Sequence, residues 1–323
     1  RQRTARTDHA AAVELDGPKP HRCGVRRVRV SSKMAASLQL ARKLSSSGDG
    51  SAEERALVAI DTQGAVISPL RRYAGRAAVY GALSILSGIG VCSLLSGDPL
   101  VLALSLVGTA AWGHGLLVTR WLEQASQLIH VSRLDEAELL LQRCLRPPWG
   151  SEAVRGHAHL RLSTVASHRG DHQAARDQAR FASALFAGEY PPQPQFLQLA
   201  RYQEVRALVS MGQQAEARHH FAEVQSVPAG DYLRAHFYVT ELYLALGDGQ
   251  VPFLDAPLWE RAQLAIDTEH APPLLGLCAW GFDRLGDDET ASHFVTLCQR
   301  RCGERVAMTL PLLARFLDRM EKR

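Results

Sequence analysis

An all-α fold is what this sequence predicts, and three observations predict it. Two apolar runs, 77–96 and 99–119, are separated only by Gly97 and Asp98, and each has about the 20 residues that cross a hydrocarbon layer as a helix. From Arg120 onward the text changes to amphipathic helical spacing, interrupted by turn residues at 132, 170, 212, 247 and 286. Only one stretch, RALVAIDTQGAVISPLRR at 55–72, alternates enough to form one or two short strands, near 57–69.

The first 70 residues predict a basic, largely disordered arm. Residues 1–33 hold nine Lys and Arg against three Asp and Glu, so the remainder of this chain of net charge +4 is slightly acidic. A domain-wide basic footprint for nucleic acid is therefore excluded, and only the arm could touch phosphates or anionic lipid. The chain opens on Arg1 and its first Met is Met34, so residues 1–33 are expected to be upstream sequence or a weakly structured arm. No apolar signal core precedes residue 57, and no cleaved export signal is expected. The sequence has no Asn and only four Lys, a bias that points to a GC-rich coding sequence and a bacterial source. Its six cysteines are scattered, unlike a secreted disulfide scaffold, which favours a reducing compartment.

Residues 77–119 carry a single formal charge, Asp98, within Ser-Gly-Asp-Pro. Pro99 suits the first turn of a helix, where its missing N–H would be unpaired anyway. The predicted unit is a transmembrane helical hairpin with the Asp98 turn in water. Gly81, Ser84, Gly88 and Cys92 recur on one face of the first run and should let a neighbouring helix approach closely; Gly108 and Ala111 offer the same on the second. Arg71, Arg72 and Arg76 flank one end and Arg120 and Arg133 the other, which predicts an integral membrane protein of the bacterial inner membrane with both termini cytoplasmic. Tyr80, Trp112 and Trp121 lie near run ends, as interfacial aromatics do.

The segments 132–145, 170–185, 212–224 and 286–299 align on one template. Ser132, Gly170, Gly212 and Gly286 stand at the turn, and Ala137, Ala175, Ala217 and Ala291 follow five residues later, where a small side chain lets a second helix cross. A Gly at 247 marks a degenerate unit whose second helix is displaced by DGQVPFLDAP and resumes at Leu258. The final segment, ERVAMTLPLLARFLDRMEKR, reads as a capping helix that Pro311 kinks or delays.

This arrangement resembles the tetratricopeptide repeat, a helix–turn–helix unit, over residues 122–302. The resemblance places Trp121 at the aromatic position of a first helix and Leu162, Ala166, Leu208 and Phe282 at core positions. It implies that residues 120–323 form an antiparallel helical solenoid whose first helices line a concave groove. Projection along the template puts His157, Leu160, Tyr202, Arg206, Arg234, Phe237, Glu241, Trp280 and Arg284 on that face. Arginines among aromatics are the residue types that anchor binding sites. The version of the family that grips a terminal carboxylate uses Lys and Asn, and neither residue occurs in these repeats.

Catalytic spacing is absent: there is no nucleophile elbow, no phosphate loop ending in Lys, no His-Glu-x-x-His and no paired Cys-x-x-Cys. His293, Cys298 and Cys302 share one helix but lack a completing ligand, and Cys298 falls at a repeat core position. No cofactor or metal is expected. The expected function is a membrane-anchored protein-interaction scaffold, without catalysis, that presents its groove to a protein or peptide and residues 77–119 to the bilayer. The alternative is an accessory subunit of a larger membrane complex, held through the hairpin.

Overall fold

The computed structural model describes residues 69–146, 151–189, 192–224, 227–249, 255–268, 271–302 and 309–323. All belong to one unit, Asp49–Arg323. Twelve helices and no strand are found among the described residues. The basic arm and the possible strands at 57–68 lie outside them. Pro69, at the end of that expected strand region, instead opens the first helix.

Helices α1 (Pro69–Ser96) and α2 (Pro99–His130) form a hairpin, and both contain stretches long and apolar enough to cross a membrane. The connection explains the lone carboxylate. Gly97 adopts a left-handed conformation (φ 76°), and the Asp98 side chain caps α2 by accepting from the N–H groups of Leu100 and Val101. The two helices meet at Gly90, where an added Cβ would fall 2.6 Å from Ser105 Oγ. Ser105 in turn donates to the Leu86 carbonyl across the hairpin at 2.7 Å.

The expected packing stripe does not mediate that contact. Gly81 and Gly88 have open space where a side chain would go, and Ser84 and Cys92 are exposed. The interface uses Leu86, Gly90, Ser93 and Ser105 instead, a face rotated from the one the four-residue spacing marks. Several small stripes coexist on a helix this rich in Ser and Gly, and spacing alone cannot choose among them.

Helix α2 also runs eleven residues beyond the expected end of its apolar run, to His130. In that extension, together with Val118 just before it, Leu122, Ala125 and Ile129 are buried and pack with Ala137, Leu141 and Cys144. Trp121 packs against this core rather than standing free. The same helix is thus the second arm of the hairpin and the first packed helix of the domain behind it.

That domain continues with α3 (Leu134–Leu145), α4 (Glu152–His168), α5 (His172–Gly188), α6 (Pro194–Ser210), α7 (Gln214–Ala222), α8 (Asp231–Asp248), α9 (Asp255–Asp267), α10 (Pro273–Arg284), α11 (Asp288–Cys302) and α12 (Pro311–Glu321). Consecutive helices pack, and the even-numbered ones also touch in sequence: α2 with α4, α4 with α6, α6 with α8, and α8 with α10. Helix α12 closes against α8, α10 and α11, and Pro311 delays its start by occupying its first position.

One turn is built four times. Ser132, Gly170, Gly212 and Gly286 are all left-handed, at φ 62°, 76°, 79° and 78°. The next residue donates its N–H five residues back, Arg133 to Leu128, Asp171 to Ala166, Gln213 to Leu208 and Asp287 to Phe282. This is the Schellman closure, which satisfies a carbonyl the helix end leaves open. Ala137, Ala175, Ala217 and Ala291 are then each completely buried at the crossing of the paired helices. In the degenerate unit the left-handed residue is Gly249, not Gly247, and α9 starts at Asp255 rather than Leu258. Gly247 lies inside the last turn of α8, with Gln214 packed over its Cα.

Candidate functional site

Three even-numbered helices converge on one cleft of about 400 Å³. On α4, His157, Leu160, Arg161 and Thr164 recur every three or four residues and so share a face. Leu199, Gln203, Arg206 and Ser210 do the same on α6, and Tyr232, His236 and Val239 on α8. The helix contacts named above bring these faces together, and Ala271, Pro273, Thr309 and Leu310 also line the cleft, as do Ser167, His168 and His172.

The polar groups of the cleft hold one another in place. Gln203 Nε2 donates to Thr164 Oγ1 at 3.0 Å, joining α6 to α4. Arg161 donates from Nε to Ser126 Oγ on α2 at 2.6 Å and from Nη1 to the His157 carbonyl at 3.1 Å. Arg206 donates from Nε to the Tyr202 carbonyl at 3.3 Å. Both arginines lie deep among protein atoms yet keep partial solvent access through the cleft. Burial lowers both guanidinium pKa values, that of Arg206 to about 10. Tyr232 lies in the field of both, and burial raises its pKa against that field. His157 is driven down to about 3, first by burial and then by Arg161, so its ring is neutral. That ring packs edge-on against Phe196 and Phe186, at 4.2 and 5.1 Å between centroids.

Of the nine residues projected onto the groove, the cleft takes His157, Leu160 and Arg206. Tyr202, Phe237 and Trp280 are core, with 0%, 7% and 1% exposure. Arg234 pairs with Asp231 on its own helix. Glu241 is bound by Arg261 from α9 at 3.0 Å, and Arg284 lies over the Trp280 ring. The miss has one cause on α8: the face turned to the cleft carries 232, 236 and 239, a rotation away from 234, 237 and 241. Sequence reasoning passed over Arg161, Gln203, Tyr232 and His236. Their helical spacing from His157, Arg206 and one another was the available signal.

A second pocket of about 220 Å³ involves α5, α6 and α7 and is lined by Arg180, Ser183, Arg201, Glu204, His220 and Glu223. Its charges compensate internally, as in the Arg180–Glu204 pair at 3.3 Å. No group of three or more His, Cys, Asp or Glu positioned for a metal ion is found among the described residues. Cys298 is buried against Gly276, in the core position its spacing implied.

No protein-family model, curated protein or solved structure matches this chain. The class defined here is therefore that of its own architecture: an all-helical, repeat-like domain continuous with two helices of membrane-spanning length and apolarity.

Proposed function

We propose that the protein is a membrane-anchored interaction module, in which a tetratricopeptide-like solenoid holds its cleft near the cytoplasmic face of a bacterial inner membrane and recruits a partner segment. The observation that carries this reading is the continuity of α2, about 48 Å long at 1.5 Å per residue, which belongs to hairpin and solenoid at once. A helix shared in this way anchors the array without a flexible linker. The apolar stretches are only 11% buried, whereas a soluble core helix hides most of its apolar surface. The hydroxyls of Ser84, Ser93 and Thr119 each bond to the carbonyl four residues back, the internal satisfaction that lipid demands. The repeated turns and the even-numbered helix contacts support the solenoid reading, and the basic flanks support cytoplasmic termini.

Membrane pelleting and protease access test the proposal directly. The full chain should resist alkaline extraction, and its repeats should be cut in inverted vesicles but protected in right-side-out ones. Release by alkali would remove the anchor from the reading.

One observation favours a second role for the hairpin, as an accessory subunit of a larger membrane complex. Gly81 and Gly88 meet nothing within 4 Å, which leaves a small-residue face open to another transmembrane helix. Under that reading Gly81→Leu with Gly88→Leu removes a partner that co-purifies in mild detergent, while ligands of the cleft remain bound.

A further inference from the structure

The two pockets differ in how charge is balanced. The smaller one holds two arginines, Arg180 and Arg201, together with two carboxylates, Glu204 and Glu223, and Arg180 pairs with Glu204 at 3.3 Å. The larger cleft has Arg161 and Arg206 and, among the described residues, no acidic residue in its lining. Among the described residues neither arginine forms an ion pair. Glu123 on α2 acts on Arg161 only as the weakest of its electrostatic influences.

The guanidinium donors are also incompletely used. Both terminal nitrogens of Arg206 lack a protein acceptor among the described residues, as does Nη2 of Arg161. A desolvated cation without counter-charge is unfavourable, whereas a carboxylate forms two parallel, charge-assisted hydrogen bonds with one guanidinium fork. The two arginines come from successive even-numbered helices and both act on Tyr232, so their positive fields overlap around its hydroxyl. Leu160, Phe196, Leu199 and Val239 line the same space, which suits an anion carried on an apolar stem better than a hydrated free ion.

We infer that the cleft seats an Asp or Glu side chain of the partner segment, its carboxylate held by Arg161 and Arg206 and its apolar neighbours resting on Leu160, Phe196 and Leu199. This rests on the reading of the cleft as a partner site. It adds a charge requirement that the reading alone does not contain. Arg206 supplies the bidentate fork, while Arg161, already fastened to Ser126 and the His157 carbonyl, supplies positive potential and the donors of its unused Nη2.

The experiment has two arms, both on the full chain in phosphatidylcholine nanodiscs. In the first, phenylacetate, phenylacetamide and inorganic phosphate are titrated against wild type, Arg206→Gln and Arg206→Lys. In the second, a dodecapeptide array is probed with the same three proteins, and the best binder is remade with its acidic residue changed from Glu to Gln or Asp to Asn. The expected result is phenylacetate binding without phenylacetamide binding, and array hits that share an acidic residue. Neutralising that residue should weaken binding about 30-fold to wild type and hardly at all to Arg206→Gln. Arg206→Lys, which keeps the charge and loses the fork, should lie between and guards against a folding defect in the Gln variant.

Hits that need no acidic residue would leave the docking role standing and overturn the charge requirement. Phenylacetate binding with no peptide hit would remove the partner segment and with it this proposal, leaving a small-anion site. Phosphate binding without phenylacetate binding overturns the carboxylate assignment, and failure of every probe overturns both readings.

Discussion

Several mid-helix glycines differ in their surroundings between the two halves of this molecule. In the hairpin, Gly81, Gly88, Gly113 and Gly115 have nothing within 4 Å of a prospective side chain. In the repeat-like domain, Gly156 lies under Phe186, Gly276 under Cys298 and Leu313, and Gly281 under Leu258, each with its nearest contact to an added Cβ below 3.0 Å. The exposure of large apolar residues is inverted in the same way: Leu95 is 82% exposed and Val107 68%, while Leu141 and Leu208 are completely buried. One half has completed its packing within the chain, and the other presents its apolar and small residues outward. The difference teaches that, among the described residues, the hairpin leaves uncovered the kind of surface that the repeat-like domain buries.

Substitutions can break this comparison. The largest effect should come from Val107→Arg, near the middle of the second apolar run. In a bilayer it opposes insertion by about 2.5–3.5 kcal/mol, read as loss of the alkali-resistant membrane fraction. At an exposed position in water the same change would be nearly silent, so an unchanged membrane fraction would count against the anchor. Next, Gly276→Val forces a side chain against Cys298 and Leu313 and should destabilise the domain by about 1–3 kcal/mol in thermal unfolding. Gly88→Val, with open space, should change that unfolding by no more than about 0.5 kcal/mol. Equal effects at the two sites would erase the distinction.

A pH titration sharpens the contrast from the cleft side. The folded-state pKa of His157 lies far below its ordinary 6.5, so the neutral ring is the native form. Its stabilising contribution is complete above pH 6.5 and is lost as pH falls towards about 3. Acidification from pH 6.5 to about pH 5 should therefore cost about 2 kcal/mol, and His157→Asn should flatten that slope. A smaller, salt-dependent effect is expected at Arg169, whose guanidinium bridges Asp135 and Glu138 of α3 at 2.6 Å each, on the surface. Arg169→Ala should cost roughly 0.5–1 kcal/mol at low salt and less at high salt.

The regular parts of the fold were legible because they obey local rules. A left-handed turn residue followed by a buried Ala at five residues is a pattern held within nine or ten consecutive residues, and all four copies form as spaced. The turn of the degenerate unit lies two residues beyond its expected place, at Gly249 rather than Gly247, because neither glycine is followed five residues later by an alanine and the pattern does not choose between them. Only the packing of Gln214 against Gly247 decides between them. The cleft was legible in part. His157, Leu160 and Arg206 line the cleft, whereas Tyr202 on α6 is core and the cleft side of α8 carries Tyr232 and His236 in place of Arg234 and Phe237. A helix of 18 residues offers several plausible faces, and its neighbours choose one.

By itself the sequence determined the all-helical class, the two membrane-length runs, the Asp98 turn and the repeating helix pairs. Composition, helical periodicity and turn chemistry act over a few residues and leave their mark in the text. Tertiary structure decided that α2 continues from hairpin to array, that Gly90 and Ser105 rather than Gly81 and Gly88 join the hairpin, and that Arg161 and Arg206 share one cleft. These outcomes depend on the rotation of one helix against another, set by residues 15 to 45 apart in sequence. Spacing along a single helix carries no record of that rotation.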